Sequence, residues 1–193
     1  ANKGITVNVI GNPMIVSLHQ SDTNAAITGQ NIIQFVEIDI NNDNEIQVSE
    51  VQQISYLNIL CGYNISNIAE IEYFINLKFL YHSCADGVGL IQTLNTSQNS
   101  LLEEVIFTGN PITSINLSNN NLIKILELDY TNITSIDVSN LSQLTRLRIV
   151  NTDLTEINLQ NNPLLYHFAS TGAPITELDF SNNPTLEILY AGS

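Results

Sequence analysis

The chain has no tryptophan, one methionine, two cysteines and five basic residues among 193. Each scarcity excludes something. Two cysteines cannot make the disulfide-dense framework of a small secreted scaffold, although they leave room for one bridge. Five Lys and Arg against 19 Asp and Glu leave a net charge of -14, which repels nucleic acid and anionic membrane surfaces and suits cations. No apolar run approaches the roughly 20 residues that a spanning helix needs, and the N-terminus lacks the basic, apolar and small-residue order of a signal peptide. GxSxG, GxxxxGK and HExxH are all missing, so the expectation is a protein that is not an enzyme. His19 and His167 have no companion at zinc-ligand spacing, and His82 stands at an apolar position where a core histidine is expected.

What is present is a repeat. Ile112, Ile133, Leu154 and Ile175 recur at a step of 21, as do Ile115, Ile136, Ile157 and Leu178, then Leu117, Val138, Leu159 and Phe180. Further sets run Leu102, Ile123, Leu144, Leu165, Leu186 and Val105, Leu126, Leu147, Phe168, Leu189. Each unit carries the pattern LxxLxL twice, with Asn-rich turns such as SNN, QNNP and SNNP between. Short alternating runs predict strands with one face inward, and two strands with two corners make one coil. Stacked coils hydrogen-bond at a spacing of about 4.8 Å, so the chain is expected to be a parallel solenoid of about six coils. Two irregular copies precede the regular ones, and the second is longer by about four residues at CADGVG, read as a bulging corner without chemistry.

The stretch LLEEVIFTGNPITSINLSNN, with the grammar LxxLxLxxNxLxxLxLxxN, resembles the 21-residue nested class of bacterial leucine-rich repeats over roughly residues 50 to 193. The resemblance implies a mainly β fold: a right-handed leucine-rich repeat solenoid over 54–193 with two short parallel β-strand columns, behind a small helical N-terminal cap over 1–53. The sequence departs from the pattern at one place. Asn110 is followed at the equivalent positions by Thr131, Thr152 and Ala173, where Thr can still bond the backbone. At the other corner Asn119, Asn140, Asn161 and Asn182 are expected to form a structural ladder, with Asn120, Asn162 and Asn183 beside them.

In the cap, DINNDNEIQVSE spans residues 39–50 with the ligand spacing of an EF-hand-like calcium loop. Asp39, Asn41 and Asp43 supply side-chain oxygens, Glu45 its carbonyl, Gln47 a water and Glu50 both carboxylate oxygens. Asn44 stands where glycine is usual and tolerates the left-handed conformation better than other side chains. The competing reading is a solvated Asp and Asn turn, which needs no Glu at the twelfth place. An apolar helix NIIQFVEI before the loop and a short helix SEVQQI after it are expected. An EF-hand-like segment ahead of such repeats also resembles secreted surface proteins of Bacteroidetes, so structural calcium and an extracellular or cell-surface location are expected.

The two columns differ in what they turn outward. The second repeats Thr113, Ser114, Asn116 and their equivalents almost unchanged, as a solvated wall. The first varies: Lys124, Glu127, Asp129 and Tyr130, then Arg146 and Arg148, then Tyr166 and His167, then Tyr190. Tyrosine and arginine anchor interfaces more often than other residues, which makes this column the candidate face for a protein or glycan partner. Cys61 and Cys84 stand at equivalent places in adjacent coils, four residues after Leu57 and Leu80, where a disulfide and a pair of small apolar fillers are both open. The function expected is a secreted or cell-surface binding module. Alternatives are a passive spacer and an accessory region of a larger secreted hydrolase. The chain opens on Ala1 and stops at LEILYAGS, within a strand, so the natural protein is expected to continue.

Overall fold

A computed structural model of the chain describes residues 5–9, 12–16, 48–59, 61, 65–84 and 87–192. Its main body is a parallel solenoid of about six turns with few helices. Seven strands stack in one parallel sheet: β3 (Tyr56–Asn58), β4 (Phe79–Ser83), β6 (Glu104–Thr108), β8 (Ile125–Glu127), β9 (Arg146–Arg148), β10 (His167–Ala169) and β11 (Ile188–Tyr190). Register follows the apolar pattern. Leu57 pairs with Leu80, Leu80 with Val105, Val105 with Leu126, and the row continues through Leu147, Phe168 and Leu189. From Leu57 to Phe168 this row is buried, because a strand one residue out of register would turn every one of these side chains to solvent.

Beneath the sheet the coil closes on further buried rows, among them Leu102, Ile123, Leu144 and Leu165, then Ile112, Ile133 and Leu154. The second column is a paired ladder at β5 (Thr93–Asn95) and β7 (Ser114–Asn116). Later coils run past the same place without strand pairing. They keep their shape because each coil fastens this corner to itself. Asn95, Asn116, Asp137, Asn158 and Asp179 each accept the backbone N–H two residues on, at 3.2, 3.1, 2.9, 3.0 and 2.9 Å. These are Asx turns, in which a short polar side chain stands in for the backbone.

The Asn ladder lies one residue later than the sequence pattern suggests. Asn99, Asn120, Asn162 and Asn183 are buried, whereas Asn119, Asn161 and Asn182 face solvent. Each buried amide reaches back one coil and donates to two carbonyls: Asn120 to Thr96 and Asn99 at 3.0 and 2.8 Å, Asn162 to Val138 and Leu141 at 3.0 and 2.9 Å, Asn183 to Leu159 and Asn162 at 3.0 and 2.8 Å. Leu141 interrupts this column, and there Asn140 donates to the Leu117 carbonyl instead, at 2.8 Å. At the opposite corner, Thr131 and Thr152 donate to the carbonyls of Leu128 and Ile149 at 2.8 and 2.9 Å, so Thr does satisfy the backbone where the Asn is lost.

That corner takes a left-handed residue in four successive coils. Gly109, Tyr130, Asn151 and Gly172 occupy it with φ of 66°, 57°, 52° and 79°. Glycine is required at the first: an added Cβ on Gly109 would lie 1.8 Å from the Cys84 carbonyl oxygen. Tyr130 is the unusual member, since a bulky side chain there costs energy. Cys61 and Cys84 are joined, with Cα atoms 5.3 Å apart, and Cys84 is the first residue of the CADGVG insertion in the second coil. His82 is a core residue, its Nδ1 2.8 Å from the Ile59 carbonyl.

Ahead of the coils, β1 (Ile5–Val9) and β2 (Asn12–Val16) pair as an antiparallel hairpin in which Pro13 sits opposite Asn8. A two-stranded ribbon is all edge, where proline is tolerated. Of the two helices expected in the cap, the second is present as α1 (Val48–Val51), and the first lies outside the described residues.

Candidate functional site

Alternation on the strands sends one set of residues inward and leaves the other as an open face along the seven-strand sheet. Two rows cross that face. One reads Tyr56, Phe79, Glu104, Ile125, Arg146, His167, Ile188, and the next reads Asn58, Tyr81, Ile106, Glu127, Arg148, Ala169, Tyr190. Aromatic groups gather at both ends and charge in the middle.

The central arginines are paired, not free. Arg146 Nη1 is 3.3 Å from Glu127 Oε1, and Arg148 donates from Nε and Nη2 to Asp129 Oδ2 at 2.9 and 2.5 Å. The other oxygen of Asp129 accepts the Val150 N–H at 2.8 Å, so this buried carboxylate is held on both sides. Burial raises the Glu127 carboxyl above its usual range, against the pull of Arg146 and Arg148. Lys124 and Lys78 flank Glu103 at 2.7 and 3.7 Å at the sheet margin, and Lys124 is chiefly responsible for holding that carboxyl low.

The residues expected to meet a partner therefore fall into two groups. Lys124, Tyr130, Arg146, Tyr166 and Tyr190 are exposed, and Glu127 and Arg148 are half-buried. Asp129 and His167 are buried. His167 lies under the Tyr190 ring, 5.8 Å away, with no hydrogen-bond partner on either nitrogen. Burial, then Arg146 and Arg148, press its pKa down and keep it neutral. Tyr130, 59% exposed, combines exposure with the left-handed backbone noted above, and strain of this kind collects at functional positions.

The N-terminal end of the face was not legible as a site. Tyr56 and Tyr81 meet edge to face, centroids 5.3 Å apart and planes at 86°, and Tyr56 lies 6.4 Å from Phe79. The Tyr81 hydroxyl donates to Glu104 Oε2. These coils are offset by 23 residues from β3 to β4 and 25 from β4 to β6, so a search at a step of 21 does not align them. An open polar recess of about 460 Å³ on the Asn corner, lined by Ser97, Gln98, Ser118, Asn119, Asn121 and Asn140 among others, offers hydroxyls and amides only.

Residues 39–47 of the proposed calcium loop, and with them Asp39, Asn41, Asp43, Glu45 and Gln47, lie outside the described residues. Glu50 is described, on α1 and 4% exposed. Among the described residues, no three His, Cys, Asp or Glu side chains cluster as a metal site, and no helix is long and apolar enough to cross a membrane.

No protein-family model matches the chain, and no curated protein matches it. Solved structures do. The functional domain of InlJ from Listeria monocytogenes, which includes a cysteine ladder, has a TM-score of 0.52 and 27% identity over 73% of this chain and 35% of its own. Internalin C2 from the same species has a TM-score of 0.48 and 17% identity over 76% of this chain and 84% of its own, and internalin InlF has 0.33 and 16% over 77% and 70%. This chain thus spans about a third of the InlJ structure that it matches. The likeness to the InlJ domain is consistent with the leucine-rich repeat solenoid described above.

Proposed function

We propose that the chain is a protein-binding module displayed outside the cell, with the open face of the seven-strand sheet as its binding surface. One observation carries the reading. Two walls built on the same repeat differ in kind: the Asx column repeats small polar residues, and the long sheet bears tyrosines, a phenylalanine and arginine–carboxylate pairs that change from coil to coil. Aromatic and arginine anchors are what interfaces use. The InlJ-like fold supports a surface binding role over catalysis, and the Cys61–Cys84 bridge suits an oxidising compartment. The nested 21-residue repeat class, and a bacterial surface setting, belong to the same proposal.

The test is selective capture. A partner retained by the native chain should be lost on Arg146→Ser/Tyr166→Ala/Tyr190→Ala and kept on Ser114→Ala/Ser135→Ala/Thr155→Ala, which alters the opposite wall. Equal retention by both would leave the chain a spacer.

Calcium at 39–50 is a second part of the proposal, supported by the ligand spacing and by the burial of Glu50. The ion would clip the cap to the first coil, with the roughly 0.1 to 1 mM affinity of extracellular modules. Calorimetric titration of the native chain and of Asp39→Ala/Glu50→Gln checks it. Calcium-dependent heat and a raised melting temperature, both lost in the variant, are expected. No heat at millimolar calcium would make the loop a polar turn.

A further inference from the structure

We infer that the N-terminal end of the face seats a basic side chain, arginine above lysine, of a protein partner, held by Glu104 between the rings of Phe79, Tyr81 and Tyr56. The inference rests on the reading of this face as a protein-binding surface and names what one part of it takes.

The carboxylates of the face are otherwise spoken for. Glu127 has Arg146, Asp129 has Arg148, and Glu103 at the margin has Lys124 and Lys78. Glu104 is the carboxylate on the face with no cation against it among the described residues; its charge is met only by the Tyr81 hydroxyl. That hydroxyl fixes the carboxylate without neutralising it. It also remains a phenol: burial, reinforced by the bond to Glu104, holds its pKa far above the usual value.

Glu104 stands next to Phe79 in one row, with Tyr81 on the same neighbouring strand, so an anion lies directly beside aromatic surface. A planar guanidinium can lie along a ring while its N–H fork meets a carboxylate; an ammonium can do only one of these well. Ile106 and Ile125 border the carboxylate on its other sides, and apolar walls strengthen a charge pair by excluding water. Charge complementarity acts at long range too. With a net charge of -14, the molecule attracts a basic partner, and four of its five cations sit in the ion pairs just described, at the centre and margin of the same sheet.

The experiment uses a labelled, unstructured Gly/Ser peptide bearing two arginines and its citrulline counterpart, which keeps the shape and loses the charge. Binding to the full chain is followed by fluorescence anisotropy at about 0.15 M salt, where exposed charges are largely screened. Glu104→Gln is expected to weaken the arginine peptide about tenfold, with the citrulline peptide equally weak on the native chain. Glu156→Gln, the same charge change on the opposite wall, should leave binding within about twofold. Phe79→Leu keeps the carboxylate and removes a ring, and should also weaken binding; circular dichroism melts confirm that each variant is folded. Equal losses for Glu104→Gln and Glu156→Gln, or no difference between the arginine and citrulline peptides, would overturn the inference. The capture test above does not touch Glu104, so a partner lost with Arg146, Tyr166 and Tyr190 while the arginine peptide fails to bind would sink this inference and leave the binding face standing.

Discussion

Replacing Val138 with threonine should leave the protein as stable as before or make it more stable, although it places a hydroxyl in the core. The reason lies in the Asn ladder. Asn120 and Asn162 donate to the backbone 24 and 21 residues behind them in the same way. Their carbonyl oxygens differ. Asn120 Oδ1 accepts the Thr96 hydroxyl at 2.8 Å, whereas Asn162 Oδ1 is buried without a partner. Val138 occupies, relative to Asn162, the place Thr96 holds relative to Asn120. A threonine there would bring its Oγ1 to the orphan acceptor. An unpaired hydroxyl in such a site costs about 1–3 kcal/mol, and a buried bond returns about 1 kcal/mol while relieving the acceptor. The expectation for Val138→Thr is therefore a change between zero and about 1 kcal/mol in favour of the folded state, and for Thr96→Val a loss of about 1–2 kcal/mol. Urea unfolding followed by circular dichroism measures both as a shift in midpoint at constant slope. Destabilisation of about 2 kcal/mol or more by Val138→Thr would refute the reasoning, and would mean that the Asn162 oxygen already has a partner such as a fixed water.

Three further outcomes are expected. Reduction of Cys61–Cys84, which closes a separation of 23 residues, should lower stability by about 3 kcal/mol, read as a melting shift with and without reductant and absent in Cys61→Ser/Cys84→Ser. Burial depresses both His82 and His167, so the unfolded chain takes up protons that the folded one refuses. Stability should be full above about pH 6.5, the unfolded value, and fall as the pH drops from there toward the lowered folded values; His82→Phe and His167→Phe should each flatten the slope of urea midpoint against pH. Tyr130→Gly should raise stability by about 1 kcal/mol by releasing the left-handed strain, while weakening capture of the partner; a stable variant with unchanged capture would assign the tyrosine no role at the face.

The body of the fold was legible because burial imposes a strict period. A row such as Val105, Leu126, Leu147 and Phe168 can be read directly, since any slip would expose it. The corners were less legible. In an Asn–Asn pair both residues have the composition of a turn, and only the backbone geometry decides that Asn120 turns inward and Asn119 outward. The face was half legible. Arg146, Arg148 and Tyr166 fall in regular coils and align by counting. Tyr56, Phe79 and Tyr81 do not, because the coils that carry them are longer by two and four residues, and their shared surface emerges only when the strands are paired. His167 shows the opposite error: alternation points it outward, yet a tyrosine one coil later covers it.

The buried amides of Asn99, Asn120, Asn162 and Asn183 all point the same way, each from its own coil to carbonyls of the coil before. These amide bonds thus run one way along the stack, even though other bonds at the corners, such as that from Thr96 to Asn120, run forward. In a polypeptide emerging N-terminus first, from a ribosome or through a membrane pore, each of these buried amides finds its acceptors already laid down in the turn before it.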